Sequence, residues 1–190
     1  MMRFFKKFSD SLEEFRSLRN LTLMAMLLAL NVCLSFFAIQ PFPYLKIGFS
    51  FLSLTATGMM FGPTAGMILG AAGDLIGFFI KPTGAFNPLM TLVAATAGLI
   101  WGLLLYKNQC GLGRVILAKT LITAICNLIM TTAILCLFFG SVFAEIFPLR
   151  LVKNLCALPA EAAMAYFVCK TLVQIQKRIR RSASAVERDS

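Results

Sequence analysis

The residues with the clearest capacity for chemistry stand at the head of the last long apolar segment, in Arg150-Leu-Val-Lys-Asn154. On a helix with about 3.6 residues per turn, the polar members of this segment share one face. They are Arg150, Lys153, Asn154 and Glu161, with Ala157 between them. Their neighbours are mostly apolar.

An unpaired cation inside a bilayer is unfavourable by roughly 2.5 to 3.5 kcal/mol on insertion scales, so such residues usually face a bundle interior, a wet cavity or a ligand. Two cations and an amide on one face therefore predict a site for an anionic ligand. The alternative is that Arg150 and Lys153 extend their charged ends to the membrane interface, while Glu161 pairs with a neighbouring residue.

The composition places the chain in the membrane class. Of its 190 residues, 59% are hydrophobic and 14% are charged, and the mean hydropathy is +0.83. A soluble domain is about 45–50% apolar. The net charge of +10 does not indicate nucleic-acid binding, because most cations flank apolar runs instead of gathering on one soluble face. Without histidine or CxxC spacing, neither a zinc site nor a disulfide framework is expected.

The pattern of apolar runs predicts an all-α membrane protein with six transmembrane helices. The runs are roughly 21–40, 47–61, 64–80, 88–106, 115–139 and 146–173. Residues 1–20 are expected to form an amphipathic cytoplasmic lead-in, resting on the membrane surface and not removed as a signal peptide. Residues 21–175 form the six-helix membrane domain, and residues 176–190 a basic cytoplasmic tail that we expect to be partly disordered.

The distribution of cations predicts that both termini are cytoplasmic. With an inside N-terminus, 14 of the 18 lysines and arginines fall on the inner side, as the positive-inside rule requires. The four exceptions are Lys46, Lys81, Arg150 and Lys153, and all four fall on the outer side. Interface anchors scattered by chance would not share the disfavoured side, so a binding site is favoured over snorkelling.

Two outer connections supply further candidate contacts. Lys46 and Phe49 belong to an aromatic cluster, residues 44–51, which could stack on a flat ring while the lysine meets an acidic group. The loop from Lys81 to Pro88 adds stacking and hydrogen-bonding groups, which are Thr83, the amides around Gly84, and Phe86. Alternatively, the aromatic residues form an ordinary interfacial belt.

Two features inside the predicted helices have competing interpretations. Asp74 lies near mid-membrane on a glycine-rich face, where an acid is either an ion site or a polar partner for a neighbouring helix or substrate. Ala25 and Ala29 form a small-xxx-small pair that permits close approach of another helix. Ordinary packing within the bundle explains that pair equally well.

Five motifs, in order along residues 21–175, together resemble one known family. They are Lys46-Ile-Gly-Phe-Ser-Phe-Leu, Met60-Phe-Gly-Pro, Gly73-Asp-Leu-Ile-Gly, Pro82-Thr-Gly-Ala-Phe, and Arg150-Leu-Val-Lys-Asn154 followed by Pro159. The chain is similar to the folate-type substrate-binding subunits (S components) of energy-coupling factor, or ECF, transporters. The resemblance implies a non-catalytic six-helix subunit without a cofactor that captures a vitamin at the outer face of the cell membrane.

The resemblance also implies partners and roles. A transmembrane coupling subunit would dock on the face carrying Ala25 and Ala29, and two cytoplasmic ATPase subunits would drive toppling of the S component to release substrate inside. Folate or a derivative would be the ligand. Its rings could stack on Phe49 and Phe86, its two carboxylates could meet the outer cations, and Asp74 or Glu161 could accept hydrogen bonds from the pterin amine edge.

Four alternatives remain at this stage. In the first alternative, the chain is an S component for another vitamin, since sister subunits share the fold and the helix-one motif. In the second, the chain is a self-sufficient carrier that uses Asp74 or Glu161 for proton coupling, although no inverted repeat is visible. A membrane-embedded enzyme is disfavoured because the chain contains no histidine, nucleophile–base pair or metal cluster. A purely structural bundle leaves the outer cations unexplained.

Overall fold

A computed structural model describes residues 2–37, 39–42, 45–82, 86–107, 111–139 and 143–186. Within these ranges the side chains of 2–6, 39–42, 45–47, 138–139, 143–146, 149–150, 176 and 179–186 lie outside the described part. The statements below concern the described residues.

The described chain is a helical bundle with one short hairpin. Its elements, in order, are α1 (Met2–Glu13), a 3-10 turn (Glu14–Arg16), α2 (Leu18–Phe36), β1 (Ile39–Phe42), β2 (Leu45–Ile47), α3 (Ser50–Ile80), α4 (Pro88–Leu105), α5 (Leu112–Ile122), a π-helical segment (Thr123–Met130), α6 (Thr131–Phe139) and α7 (Phe143–Val186). The predicted helical membrane architecture is confirmed. The antiparallel hairpin of β1 and β2 was not predicted.

Helix α3 reverses direction at Gly62. This glycine has φ 91° and ψ −169°, and Pro63 follows it. Before the break, contacts with α2 run antiparallel, because Asn31 donates to the Ser50 carbonyl and Ser53 donates to the Leu27 carbonyl. After the break they run parallel, since Asn31 also approaches Gly73 and Ser35 approaches Gly77. The chain therefore turns back between the predicted apolar runs 47–61 and 64–80.

Five helical spans are long and apolar enough to cross a membrane, and α3 is one of them. Its first stretch, residues 50–61, is about 18 Å long at 1.5 Å per residue, which is shorter than the roughly 30 Å hydrocarbon core. The structure therefore contains five to six membrane helices, depending on whether this short stretch counts as a separate span.

Close packing between α3 and α4 depends on glycine. A Cβ atom on Gly66 would collide with the Gly98 carbonyl, one on Gly70 with the Ala94 carbonyl, and one on Gly102 with the Pro63 backbone. Small residues at helix contacts in lipid allow the backbones to approach and gain dispersion energy. The larger apolar core then forms between α4, α5 and α7, around the fully buried Trp101.

Both ends of the chain differ from expectation. Helix α1 packs against the bundle, since Ser11 is fully buried and donates to the Phe61 carbonyl at 2.6 Å. This contact was not predicted, and the position of the lead-in on the membrane surface stays a prediction. At the other end, α7 continues without interruption to Val186, through most of the tail that was expected to be partly disordered.

Candidate functional site

The described members of the predicted polar face are turned toward the bundle. In α7, Asn154 is buried, with 8% of its surface exposed, and Lys153 and Glu161 are half-buried. The apolar residues between them point outward, with Val152 61% and Leu155 70% exposed. The helix therefore turns its hydrocarbon side chains toward the place where lipid would be and keeps its polar side chains inside.

Glu161 is paired with a lysine that the sequence analysis had assigned to the inner membrane boundary. Lys119 Nζ lies 2.7 Å from Glu161 Oε2, and Lys119 as a whole is only 4% exposed. The same ammonium lies 4.4 Å from the centroid of the Phe51 ring. Lys119, which was counted among the inner-side cations, therefore lies within the bundle and not at its surface. A carboxylate and an aromatic face together compensate the desolvation of this cation.

Two buried threonine hydroxyl groups, one of them a helical turn from Lys119, lack a hydrogen-bond partner within the described residues. They are Thr123 Oγ1 and Thr132 Oγ1, on residues that are 9% and 0% exposed. Thr123 follows Lys119 by four residues at the end of α5, so the two share a helix face. An unsatisfied buried hydroxyl is unfavourable by about 1–3 kcal/mol. Such groups are typical of a place where water or a ligand supplies the missing partner.

Asp74 connects α3 to α4. Its Oδ2 accepts a hydrogen bond of 2.8 Å from the Thr91 hydroxyl, and its residue is half-buried. The contact lies one turn beyond Gly70, in the same antiparallel packing of the two helices. Of the two roles considered for this acid, the structure shows the polar partner for a neighbouring helix.

The remaining predicted contacts lie at the end of the bundle where α3 begins and ends. Phe49 is half-buried immediately before α3, and Lys81 is exposed immediately after it. Phe86 is 48% exposed and packs on two other rings, with centroids 5.1 Å from Phe78 and 6.4 Å from Phe79. Phe86 is therefore positioned in an aromatic group and not isolated in the loop.

Several predicted site residues fall outside the described part. Lys46 lies in β2 and Arg150 in α7, but their side chains are not described. Thr83 and Gly84 lie outside the described residues altogether. A common pocket that joins the four outer cations stays a prediction for this reason.

Ala25 and Ala29 both lie on the exposed face of α2. On the opposite face, Met24 is 2% exposed and packs against Phe61 and Leu69 of α3. The small-xxx-small pair is therefore not used for packing within this bundle, which removes the ordinary explanation for it. It remains available to another helix.

Lys119 and Thr123 were not among the predicted site residues. Lys119 lies only about one turn inside the apolar run at 115–139, where an ordinary interface lysine is also found. Its partner Glu161 is 42 residues away along the chain, so no local spacing could connect them. In chemical terms the interior offers a paired ammonium and carboxylate, an aromatic face and spare hydroxyl groups. These groups have the chemistry to hold a polar, flat molecule.

Comparison with known proteins decides the family. Residues 19–178 match the family model described as ECF transporter, substrate-specific component. The chain belongs to this family of S components. The prediction from the five motifs is thereby confirmed, and the chain is a multi-pass protein of the cell membrane in a family of non-catalytic transport subunits.

Two similar proteins extend the comparison. This S component is 34% identical over 153 residues to the "Folate transporter FolT" of Clostridium novyi (strain NT), covering 80% of this chain and 89% of that protein. A solved structure described as "Crystal structure of FolT bound with folic acid" matches with a TM-score of 0.75 and 34% identity, over 80% of this chain and 93% of the solved one. The match thus includes nearly the whole of a ligand-bound relative.

Proposed function

We propose that this S component binds folate or a reduced derivative at the extracellular face and delivers it to the cytoplasm as part of an ECF importer. The observation that carries the proposal is the match to FolT bound with folic acid, which spans 93% of that structure at 34% identity. The family match at residues 19–178 includes the helices on which the candidate site lies.

The chemistry of the candidate residues suits the two ends of folate. The glutamate end has two carboxylates, which four outer cations, Lys46, Lys81, Arg150 and Lys153, can more than neutralise. The benzoyl and pterin rings need flat apolar faces, such as Phe49 and Phe86. The pterin amine edge needs an acceptor, and Glu161, whose other partner is Lys119, or Asp74 supplies one.

The site is placed at the outside by the positive-inside rule. Lys46 and Lys81 flank the two ends of α3, at the end of the bundle opposite Gly62. Arg114 and Lys107 lie at the Gly62 end, together with α1 and its basic residues. In this orientation both termini are cytoplasmic, and capture from the outside is followed by release inside.

Transport requires partners, because no nucleotide-binding motif is present in the chain. The exposed Ala25 and Ala29 form the docking site for a transmembrane coupling subunit, and two cytoplasmic ATPases supply energy through it. Toppling of the docked subunit carries the site from the outer to the inner face. A proton-coupled carrier is a weaker alternative, since both candidate carboxylates are engaged, Asp74 with Thr91 and Glu161 with Lys119.

The test is ligand binding by the purified chain in detergent. Folate, thiamin and riboflavin are titrated separately by calorimetry or intrinsic fluorescence of Trp101, with folate expected to bind at least a hundredfold more tightly than the other two. Reconstitution of this chain alone in liposomes should give no folate uptake under a proton gradient. Preference for another vitamin would make it a sister S component, and gradient-driven uptake would make it a carrier.

A further inference from the structure

Helix α1 forms polar contacts with an interruption in the membrane bundle. In a continuous helix the amide of residue 65 would donate to the carbonyl of residue 61, and the break at Gly62 separates these two groups. The Ser11 hydroxyl donates to the Phe61 carbonyl at 2.6 Å and accepts from the Ala65 amide at 3.4 Å. A single side chain from α1 therefore satisfies both backbone groups that the break leaves without each other.

The fit around Ser11 is close. A Cβ atom on Gly62 would lie 2.9 Å from both the Cβ and the Oγ of Ser11. Thr64, just after the break, donates to the Phe8 carbonyl of α1 at 3.4 Å. Ser11 is fully buried by these contacts, so α1 is packed into the break and does not merely lie beside it.

Helix α1 also holds the end of α4. Lys7 Nζ donates to the Leu103 carbonyl at 2.9 Å, one of the last carbonyls of the helix that lack an intrahelical partner. Asp10 and Lys107 form an ion pair of 2.7 Å just beyond α4. The hydrogen bond to Asp10 raises the pKa of Lys107 above its ordinary value. The last turn of α4 is thus tied to the same helix as the α3 break.

The segment after α1 reaches α2. Phe15, in the 3-10 turn, packs against the cluster that Met24 of α2 shares with Phe61 and Leu69 of α3. Met24 is adjacent to Ala25, on the opposite side of the helix from the exposed docking face. The first sixteen residues consequently touch the same end of α2, α3 and α4, while the family match begins only at residue 19.

We propose that α1 is a brace that makes these three helix ends one rigid unit, so that force received at the α2 docking face is transmitted to α3 and α4 when the S component moves in the membrane. The brace lies at the opposite end of α3 from Phe49 and Lys81 and does not take part in substrate binding. Loosening it uncouples docking from transport. The transport part of this proposal rests on the proposed function, whereas the structural part does not.

The primary test compares Ser11→Ala with Ser9→Ala, an exposed serine on the same helix. Hydrogen exchange of the backbone amides of Gly62 and residues 64–66 in the purified subunit should be at least tenfold faster in Ser11→Ala and within twofold of wild type in Ser9→Ala. Folate affinity should stay within twofold in both. Uptake by the complete transporter in liposomes should fall at least fivefold in Ser11→Ala alone.

Each other outcome overturns the brace. Unchanged hydrogen exchange in Ser11→Ala shows that Ser11 does not hold the break. Faster hydrogen exchange with full folate uptake shows that α1 does not transmit force. A tenfold loss of folate affinity places α1 in substrate binding. If Ser11→Ala does not fold, Asp10→Lys and Lys107→Asp replace it. Each of these single variants should reduce uptake, and the double variant with the two charges swapped should restore it. Failure of the double variant to restore uptake overturns the proposal. Absence of folate binding in wild type refutes the proposed function, while the exchange measurement still decides whether α1 holds the break.

Discussion

The ammonium of Lys119 is enclosed between a carboxylate and an aromatic ring in the interior of a membrane bundle. It lies 2.7 Å from Glu161 Oε2 and 4.4 Å from the Phe51 centroid, so both groups offset part of its desolvation. Buried pairs of this kind often add little net stability, because desolvation offsets the attraction. Stability alone therefore does not account for the pair, and the proposed second role of Glu161 is contact with the ligand.

Exchanging the two charges separates a structural role from a ligand contact. Glu161→Gln or Lys119→Met alone should destabilise the subunit by roughly 3 kcal/mol, because each leaves an uncompensated buried charge. The double variant Lys119→Glu with Glu161→Lys should regain most of this loss in thermal unfolding. If Glu161 contacts folate, the folded double variant should still bind it at least tenfold more weakly. Full recovery of affinity would assign the pair to stability alone.

Arg150 offers a direct test of the predicted carboxylate clamp. Arg150→Ala should weaken folate by about tenfold or more, since a charge-assisted hydrogen bond contributes about 1.5–3 kcal/mol. Pteroate, which lacks the glutamate, should lose much less. Titration of both ligands measures the difference, with Val152→Ala as control because Val152 is 61% exposed on the outward face of the same helix. Equal losses for the two ligands would argue against a clamp.

For individual residues, the sequence predicted which side chains face the bundle better than it predicted which side chains they contact. The inward polar face of α7 follows from helical spacing and is present for Asn154, which is 8% exposed. The Lys119–Glu161 pair does not follow from spacing, because it joins two helices whose arrangement is a tertiary property. For the same reason the Thr91 partner of Asp74 could not be foreseen, although the need for some polar partner could.

Among the elements, the helical hairpin in α3 depends most directly on individual residues. Gly-Pro at 62–63 ends one helical stretch and begins the next, as the sequence alone predicts. The β1–β2 hairpin was missed because its strands have four and three residues, too few to establish an alternating pattern. The helical tail was missed because a polar, basic composition resembles disorder, even where the backbone continues α7 to Val186.

The contact between α3 and α4 should respond sharply to an added methyl group. Gly98→Ala places a Cβ against the Gly66 carbonyl, so the two helices must separate and the thermal unfolding temperature should fall by several degrees, corresponding to about 1–3 kcal/mol. Gly113→Ala is the control, because a Cβ there meets nothing within 4 Å. It should leave the midpoint unchanged or raise it slightly, as alanine favours helix. A similar effect at both positions would contradict close packing as the cause.

In the whole molecule, α2 has one face packed on the bundle and one face turned away from it. The inner face of α2 packs on α3 through Met24 and Asn31, while Ala25 and Ala29 point away from the bundle. Substrate contacts are proposed on α3, α7 and the outer connections. A change confined to the outer face of α2 should accordingly affect assembly without reaching the ligand.

Replacing either alanine with leucine tests this division. Ala25→Leu and Ala29→Leu should each leave the folate dissociation constant of the isolated subunit within twofold, because neither side chain faces the bundle. A bulky side chain at a small-xxx-small face keeps two helix backbones apart, so co-purification with the coupling subunit and uptake in liposomes should both fall at least tenfold. Ala163→Leu, at an exposed alanine of α7, is the matched control and should retain uptake. If the α2 variants lose folate binding while Ala163→Leu does not, the exposed face of α2 serves the substrate site and the docking surface must lie elsewhere on the bundle.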